Sequence, residues 1–300
     1  MRKFIPKIKY FVCLLLCLGA FIAFMCLLFK KDESKIQDNS GMITVWQIDS
    51  FEGGRGSRAD FLQKVGNDFT KSSGCYVNVI SLSAEAARLN MSNKIFPDVV
   101  SYGAGTYGLE SYVSSYTCWC RGGYCILTLD TSSDFKDVSA QNTVINAGKD
   151  NLIGAAALFT GLNGAKTEKS TGAYVKLING DYKYLLGTQR DVYRLKTREV
   201  SFAVKPVTEF NDLYQNISVV AGSKSVEQSE SYIRYLMGRT GEVDRIGMLS
   251  DGVSYDDEMK NLLGLKYEYK LTAPVSADTA AKLKNLISGG DINMLKTILK

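Results

Sequence analysis

The residues best placed to do chemistry lie close together, in Trp46-Gln47-Ile48-Asp49-Ser50-Phe51-Glu52-Gly53-Gly54-Arg55. This stretch offers an aromatic face, two carboxylates, a guanidinium and glycines that let backbone approach a ligand. Small-molecule clefts are built from that mixture of aromatic wall and convergent polar groups. Asp49 and Glu52 also supply the two carboxylates a glycoside hydrolase needs, although no feature of their spacing marks them for it. Three further constellations stand out. Tyr102-Gly103-Ala104-Gly105-Thr106-Tyr107-Gly108 has the glycine spacing of a dinucleotide-binding turn. That fingerprint belongs after the first strand of its βαβ unit, and here two strands already precede it, so it reads as a flexible turn lining a cleft. Cys118-Trp119-Cys120-Arg121-Gly122-Gly123-Tyr124-Cys125 combines two aromatics, an arginine and adjacent glycines, as a hinge or cleft wall would. Gly187-Thr188-Gln189-Arg190-Asp191 reads as a glycine turn opening a helix, with Thr188 as its cap. Such a helix end points N–H groups at anions or hydroxyl oxygens, within reach of Gln189 and Arg190. Asp191 and Arg194 form at most a surface pair. The candidate ligand-binding residues are therefore Trp46, Asp49, Glu52, Arg55, Tyr102, Trp119, Arg121, Gln189 and Arg190.

What is missing limits the chemistry as firmly. The chain has no histidine, which removes Ser-His-Asp and Cys-His catalysis and every imidazole metal site. Cys75, Cys118, Cys120 and Cys125 lie outside the N-terminal apolar run. An even number of cysteines in an exported domain points to disulfides, with three pairings open. A zinc site of four thiolates fits less well, because Cys118-x-Cys120 is not the usual knuckle spacing. No catalytic residue, metal or cofactor is expected.

The elements that must position these residues follow from periodicity. Met42–Ile48 and Tyr76–Leu82 are rich in β-branched and aromatic residues and predict strands. Phe61, Leu62, Val65 and Phe69 have helical spacing within 58–71. Residues 83–93 favour helix, and Pro97–Tyr102 a third strand. That order predicts a largely parallel sheet covered by helices on both faces. Farther on, helices are expected near 140–161, 168–178 and 226–238, and strands near 200–207 and 217–222.

At the N-terminus, Arg2, Lys3, Lys7 and Lys9 precede an apolar run from Phe11 to Phe29, closed by Lys30 and Lys31. About twenty such residues cross a bilayer as a helix, and leading cations hold the N-terminus in the cytoplasm. The expectation is one N-terminal transmembrane helix within residues 1–31, a flexible tether at 32–41 and an extracellular C-terminal domain, in a single-pass cell-membrane protein. The chain carries 36 Lys+Arg and 31 Asp+Glu, a net of +5. Six of those cations and no acid fall before residue 32, which leaves 30 against 31 and a net of −1 for the remainder. A working domain of that charge lacks the basic footprint of a nucleic-acid binder.

Taken in order, Ile43-Thr-Val-Trp46, Phe96-Pro-Asp-Val-Val100, Tyr184-Leu-Leu-Gly-Thr-Gln-Arg-Asp191, Phe202-Ala-Val-Lys-Pro206 and Ile217–Lys224 with the helix from Glu227 to Leu236 resemble the extracellular solute-binding proteins of ABC importers. Within that family they resemble the type 2 periplasmic-binding-protein-like fold of the carbohydrate-binding kind. The resemblance covers most of 42–250. It implies two α/β lobes that close on a ligand by hinge motion. The first lobe would hold 42–113 plus 203–270, the second, shortened, 114–202, with C-terminal helices at 271–300. It further implies a monomer that captures a small polar solute, a sugar, for ABC importer permease subunits. The turn at Gly187-Thr188-Gln189 would face the cleft, across a crevice from Asp49–Arg55. The alternative readings are a surface interaction protein that keeps the fold and, further off, a glycoside hydrolase.

Overall fold

The computed structural model describes residues 41–51, 53, 55–148, 151–251, 255–263 and 266–299. The described residues open on β1 (Met42–Ile48), in which Ile43 and Val45 to Ile48 are buried. Helix α1 (Arg58–Ser73) follows. Its Ser57 cap accepts the Asp60 N–H, and it ends where Gly74 turns left-handed. Its apolar stripe, Phe61, Leu62, Val65 and Phe69, faces the core. Then come β2 (Tyr76–Leu82), α2 (Ala84–Ser92), β3 (Val99–Gly103) and β4 (Thr117–Arg121). The chain crosses to β5 (Tyr124–Thr128), β6 (Thr143–Ala147), α3 (Ile153–Phe159), β7 (Lys166–Lys169), α4 (Ser170–Ile178), β8 (Tyr184–Thr188), α5 (Gln189–Thr197) and β9 (Ala203–Pro206). It returns through β10 (Phe210–Asn211) and β11 (Tyr214–Val219) to α6 (Val226–Met237), a 3₁₀ turn at Thr240–Ile246 and α7 (Asp257–Leu263). Strand β12 (Tyr269–Lys270), α8 (Ala277–Gly289) and α9 (Ile292–Ile298) complete the described chain.

Two five-stranded mixed sheets define two lobes. The first has the order β2-β1-β3-β11-β4, the second β7-β6-β8-β5-β9. In the first, β1 runs parallel to β2 and β3, while β11 is antiparallel to β3 and β4. In the second, β6 runs parallel to β7 and β8, and β5 is antiparallel to β8 and β9. Helices bury both faces of each sheet, which is why the central strands β3, β5 and β8 are apolar or small throughout. Strand β4, expected in the second lobe, hydrogen-bonds into the first sheet. Strand β9, expected in the first, hydrogen-bonds into the second. The helix expected over 140–161 is a strand and a short helix, β6 and α3. Thr143, Val144 and Ile145 are β-branched and pair with β8, so tertiary pairing overrides a helical reading of that apolar stretch.

The expected placement in the membrane as a single-pass protein does not stand. Among the described residues, no helix is long and apolar enough to cross a bilayer. The anchor and nearly all of the tether expected at 1–41 lie outside the described residues. The disulfides are also corrected: Cys75, Cys118, Cys120 and Cys125 are all free thiols. Cys118 and Cys120 share one strand, Cys125 belongs to the other sheet, and Cys75 sits in the turn before β2. Among the described residues no three potential metal ligands cluster.

The crossover between sheets is the tightest point of the fold. Gly122 and Gly123 connect β4 to β5. Gly122 donates to the Leu213 carbonyl at 2.7 Å, and its own carbonyl accepts from Asn211 Nδ2 at 3.3 Å. Gln189 clamps Gly123 from both sides, its N–H donating to the Gly123 carbonyl at 3.0 Å and its Oε1 accepting the Gly123 N–H at 3.1 Å. A Cβ on Gly122 would lie 2.5 Å from Gln189 Oε1, well inside contact distance. Gly122→Ala therefore displaces the amide that holds Gly123. A loss of about 2 kcal/mol is expected, the usual cost of an unpaired buried N–H plus local overpacking. Urea unfolding would show it as a lower midpoint at unchanged slope.

Candidate functional site

The carboxyl edge of the first sheet opens onto a cavity of about 70 Å³. One wall is made by Asp49 and Ser50 after β1, Glu85 and Arg88 from the first turns of α2, and Thr106 and Tyr107 after β3. The other is made by Leu152 ahead of α3, Asp212 at the return crossover, and Leu283 and Lys284 of α8. Ligands of open α/β sheets bind at this position, outside the carboxyl ends of the strands. The cavity holds a few waters or one small solute, and falls short of the ~300 Å³ at which drug-sized sites begin.

The walls are held by buried polar networks. Arg58, 4% exposed, opens α1 and reaches back under the β1 loop. Its Nε pairs with Asp49 Oδ1 at 2.9 Å, Nη1 donates to Gln215 Oε1 at 3.2 Å, and Nη2 donates to the Phe51 carbonyl. Gln215 Nε2 then donates to the Ile48 carbonyl at 3.2 Å and to Ser101 Oγ at 3.0 Å, where Trp119 Nε1 also donates. The Asp49 carboxylate is thus neutralised and fixed at the cavity rim. Losing the guanidinium strands Gln215 Oε1 and the Phe51 carbonyl and leaves Asp49 with Gln47 alone, so Arg58→Met is expected to cost about 3 kcal/mol. Calorimetric melting would show whether it does.

Asp212 joins the lobes. It is 2% exposed, its Oδ1 accepts the Tyr124 hydroxyl at 2.6 Å, and its Oδ2 accepts the Leu152 N–H at 2.8 Å. Helix α3 has no side-chain cap of its own, so this distant carboxylate serves its first turn. Burial pushes the Asp212 carboxyl up to about 6, and the two hydrogen bonds only partly offset that. Between 3.8, the ordinary value, and about 6 the folded state therefore holds the extra proton. Stability falls as pH rises through that window, by about 3 kcal/mol, and loses nothing more above it. In Asp212→Asn this slope vanishes. The unfolding free energy of the native protein minus that of the variant should decline from pH 4 to pH 6.5, and a flat difference would contradict the assignment.

Among the described residues expected to bind ligand, only Asp49 lines this cavity. Trp46 and Tyr102 pack side by side in the core between the first sheet and α2, 3% and 0% exposed. Trp119 is a bulged residue of β4, stacked on Phe61 with ring centroids 5.7 Å apart. Gln189 is fully buried at the crossover and turns its Nε2 towards Met248 Sδ. Arg55 of the β1 loop donates to the Arg245 carbonyl and lies over the Tyr193 ring at 5.8 Å. Arg121 pairs with Asp251 at 3.4 Å on another face, and Arg190 donates to Ser170 Oγ at 3.0 Å. Glu52 lies outside the described residues. Thr188 caps α5 as expected, in a capping box with Asp191. Asp191 is fully buried rather than a surface partner, and accepts from Asn146 Nδ2 at 2.8 Å and from the Thr188 N–H at 3.1 Å. The sequence reading missed Arg58, Arg88, Asp212 and Lys284. The only signal for them was their distance from any strand interior, which many surface residues share.

No protein-family model matches the chain, and no curated protein matches it. Solved structures do match, at low identity. The iron-bound HitA of Pseudomonas aeruginosa is 12% identical with a TM-score of 0.54, over 83% of this chain and 99% of that one. The maltose-maltodextrin binding protein of Alicyclobacillus acidocaldarius is 12% identical with a TM-score of 0.54, over 86% and 98%. The periplasmic binding protein AfuA of Actinobacillus pleuropneumoniae, with fructose-6-phosphate bound, is 9% identical with a TM-score of 0.51, over 83% and 98%. The chain shares their two-lobed fold across nearly their whole length.

Proposed function

We propose that the protein is a non-catalytic receptor that holds a small polar solute in the cavity between Asp49 and Asp212 and delivers it to an ABC-type importer. The observation that carries this reading is the cavity's position. It opens at the carboxyl ends of β1 and β3 and is closed by the crossover residue Asp212 and by Leu152 of the second lobe. A solute there touches both lobes, so its binding energy acts on their closure. Of the proteins of this fold described above, one is iron-bound, one has fructose-6-phosphate bound and one is a maltose-maltodextrin binding protein, so the fold accommodates solutes of several classes. A carbohydrate, the class expected from the sequence, retains a polar rim here but loses its stacking platform, since Trp46 and Trp119 are core residues. The cavity also favours something smaller than an oligosaccharide. Hydrolysis is disfavoured because Asp49 is already neutralised by Arg58.

A ligand bound only by the folded state stabilises it by about 2.7 kcal/mol at a hundredfold excess over Kd, or roughly 5–10 °C in Tm for a domain of this size. A thermal-shift panel of small polar solutes should yield such a rise. Ala280 of α8 lines the cavity and is only partly buried, so Ala280→Phe fills the space from the outside. The variant should fold and lose the rise. Retention of the full rise would place the solute elsewhere and overturn the reading.

A further inference from the structure

The charges that line the cavity are not equally engaged, and the difference selects a solute. Among its carboxylates, Asp49 is paired with Arg58 at 2.9 Å. Both oxygens of Asp212 already accept hydrogen bonds, from Tyr124 and Leu152. Glu85 is 74% exposed and points to solvent. The two cations stand differently. Arg88 meets Glu85 only at 3.4 Å, and its Nη1 is buried with no hydrogen-bond partner. Its guanidinium carbon lies over the Tyr107 ring, 4.0 Å from the centroid, and that ring lines the same cavity. Lys284, on the facing helix α8, makes no ion pair among the described residues. An exposed pair such as Glu85–Arg88 is worth well under 1 kcal/mol, so a ligand oxygen displaces it easily. A buried guanidinium N–H without an acceptor, by contrast, carries a standing cost that an anion relieves.

We infer that the solute is a small oxyanion, a carboxylate or phosphate group seated between Arg88 and Lys284. This rests on the receptor reading above and narrows it. The guanidinium presents two N–H groups in a plane that fits either oxyanion, the ammonium closes from the other wall, and the Tyr107 ring keeps the guanidinium from swinging out. The cavity's ~70 Å³ suits a group of that size.

The test is a thermal-shift titration of the full chain at constant ionic strength. The probes are inorganic phosphate, acetate, glucose and methylammonium. Phosphate or acetate should raise Tm saturably, and which of them binds tighter identifies the oxyanion. Arg88→Gln should weaken that response tenfold or more. Lys284 is exposed, so Lys284→Gln leaves the fold intact and should weaken it severalfold. If glucose or methylammonium raises Tm instead, and both variants respond like the native chain, the oxyanion assignment fails while the receptor stands. If no probe raises Tm, in the native chain or the variants, both fail.

Discussion

The arrangement depends on the passage of the chain through Gly122 and Gly123. At this point one strand leaves the first sheet and the next enters the second, with no room for a side chain at Gly122. Gln189 fills that room and binds both the N–H and the carbonyl of Gly123. In a buried crossover every backbone polar group needs a partner, and a single glutamine from the second lobe supplies two. The clamp explains why Gln189 is core rather than ligand, and why the lobes meet in one register. The return crossover obeys the same logic through Asp212, which ties the β5 hydroxyl of Tyr124 to the start of α3.

The cavity follows from those two crossovers. Fixing the lobes there leaves the carboxyl edge of the first sheet facing α3 and α8. Ser50 packs so tightly on Gly103 that a Cβ at 103 would fall 1.4 Å from Ser50 Oγ. The β1 and β3 loops are thereby locked into one wall. The C-terminal segment completes the other: it pairs with the β3 loop through Tyr107 and Val275 and then lays α8 against α3. Gly154 of α3 admits Ile287 of α8 so closely that a Cβ at 154 would fall 2.6 Å from Ile287 Cγ2. The helix that roofs the cavity is therefore packed against α3 of the second lobe, while the strand before it, β12, pairs with β10 in a two-stranded sheet of its own.

Much of the fold was legible in the sequence, because period and cap signals are local. The apolar stripe of α1, the β-branched runs of β1 and β2 and the Thr188 cap all emerged where they were read. The helix read over 140–161 failed because pairing of Thr143–Ile145 with β8 is non-local. The site was far less legible. Trp46, Tyr102 and Trp119 carry the right side chains for stacking, but the strand period turns each into a core, and a bulge re-aims Trp119. Asp49 lines the cavity because it follows a strand end. Arg88 and Lys284 meet across the cavity only through tertiary contact, almost two hundred residues apart in sequence, and no spacing rule reaches that far.

The reading of the molecule as a receptor stands on one cavity, and crystallography addresses it directly. Crystals soaked one at a time in small polar solutes should show bound density concentrated beside Ser50, Thr106 and Asp212, with the lobes drawn together on it. Solutes that seat repeatedly elsewhere on the surface, while that cavity keeps only water, would contradict the account.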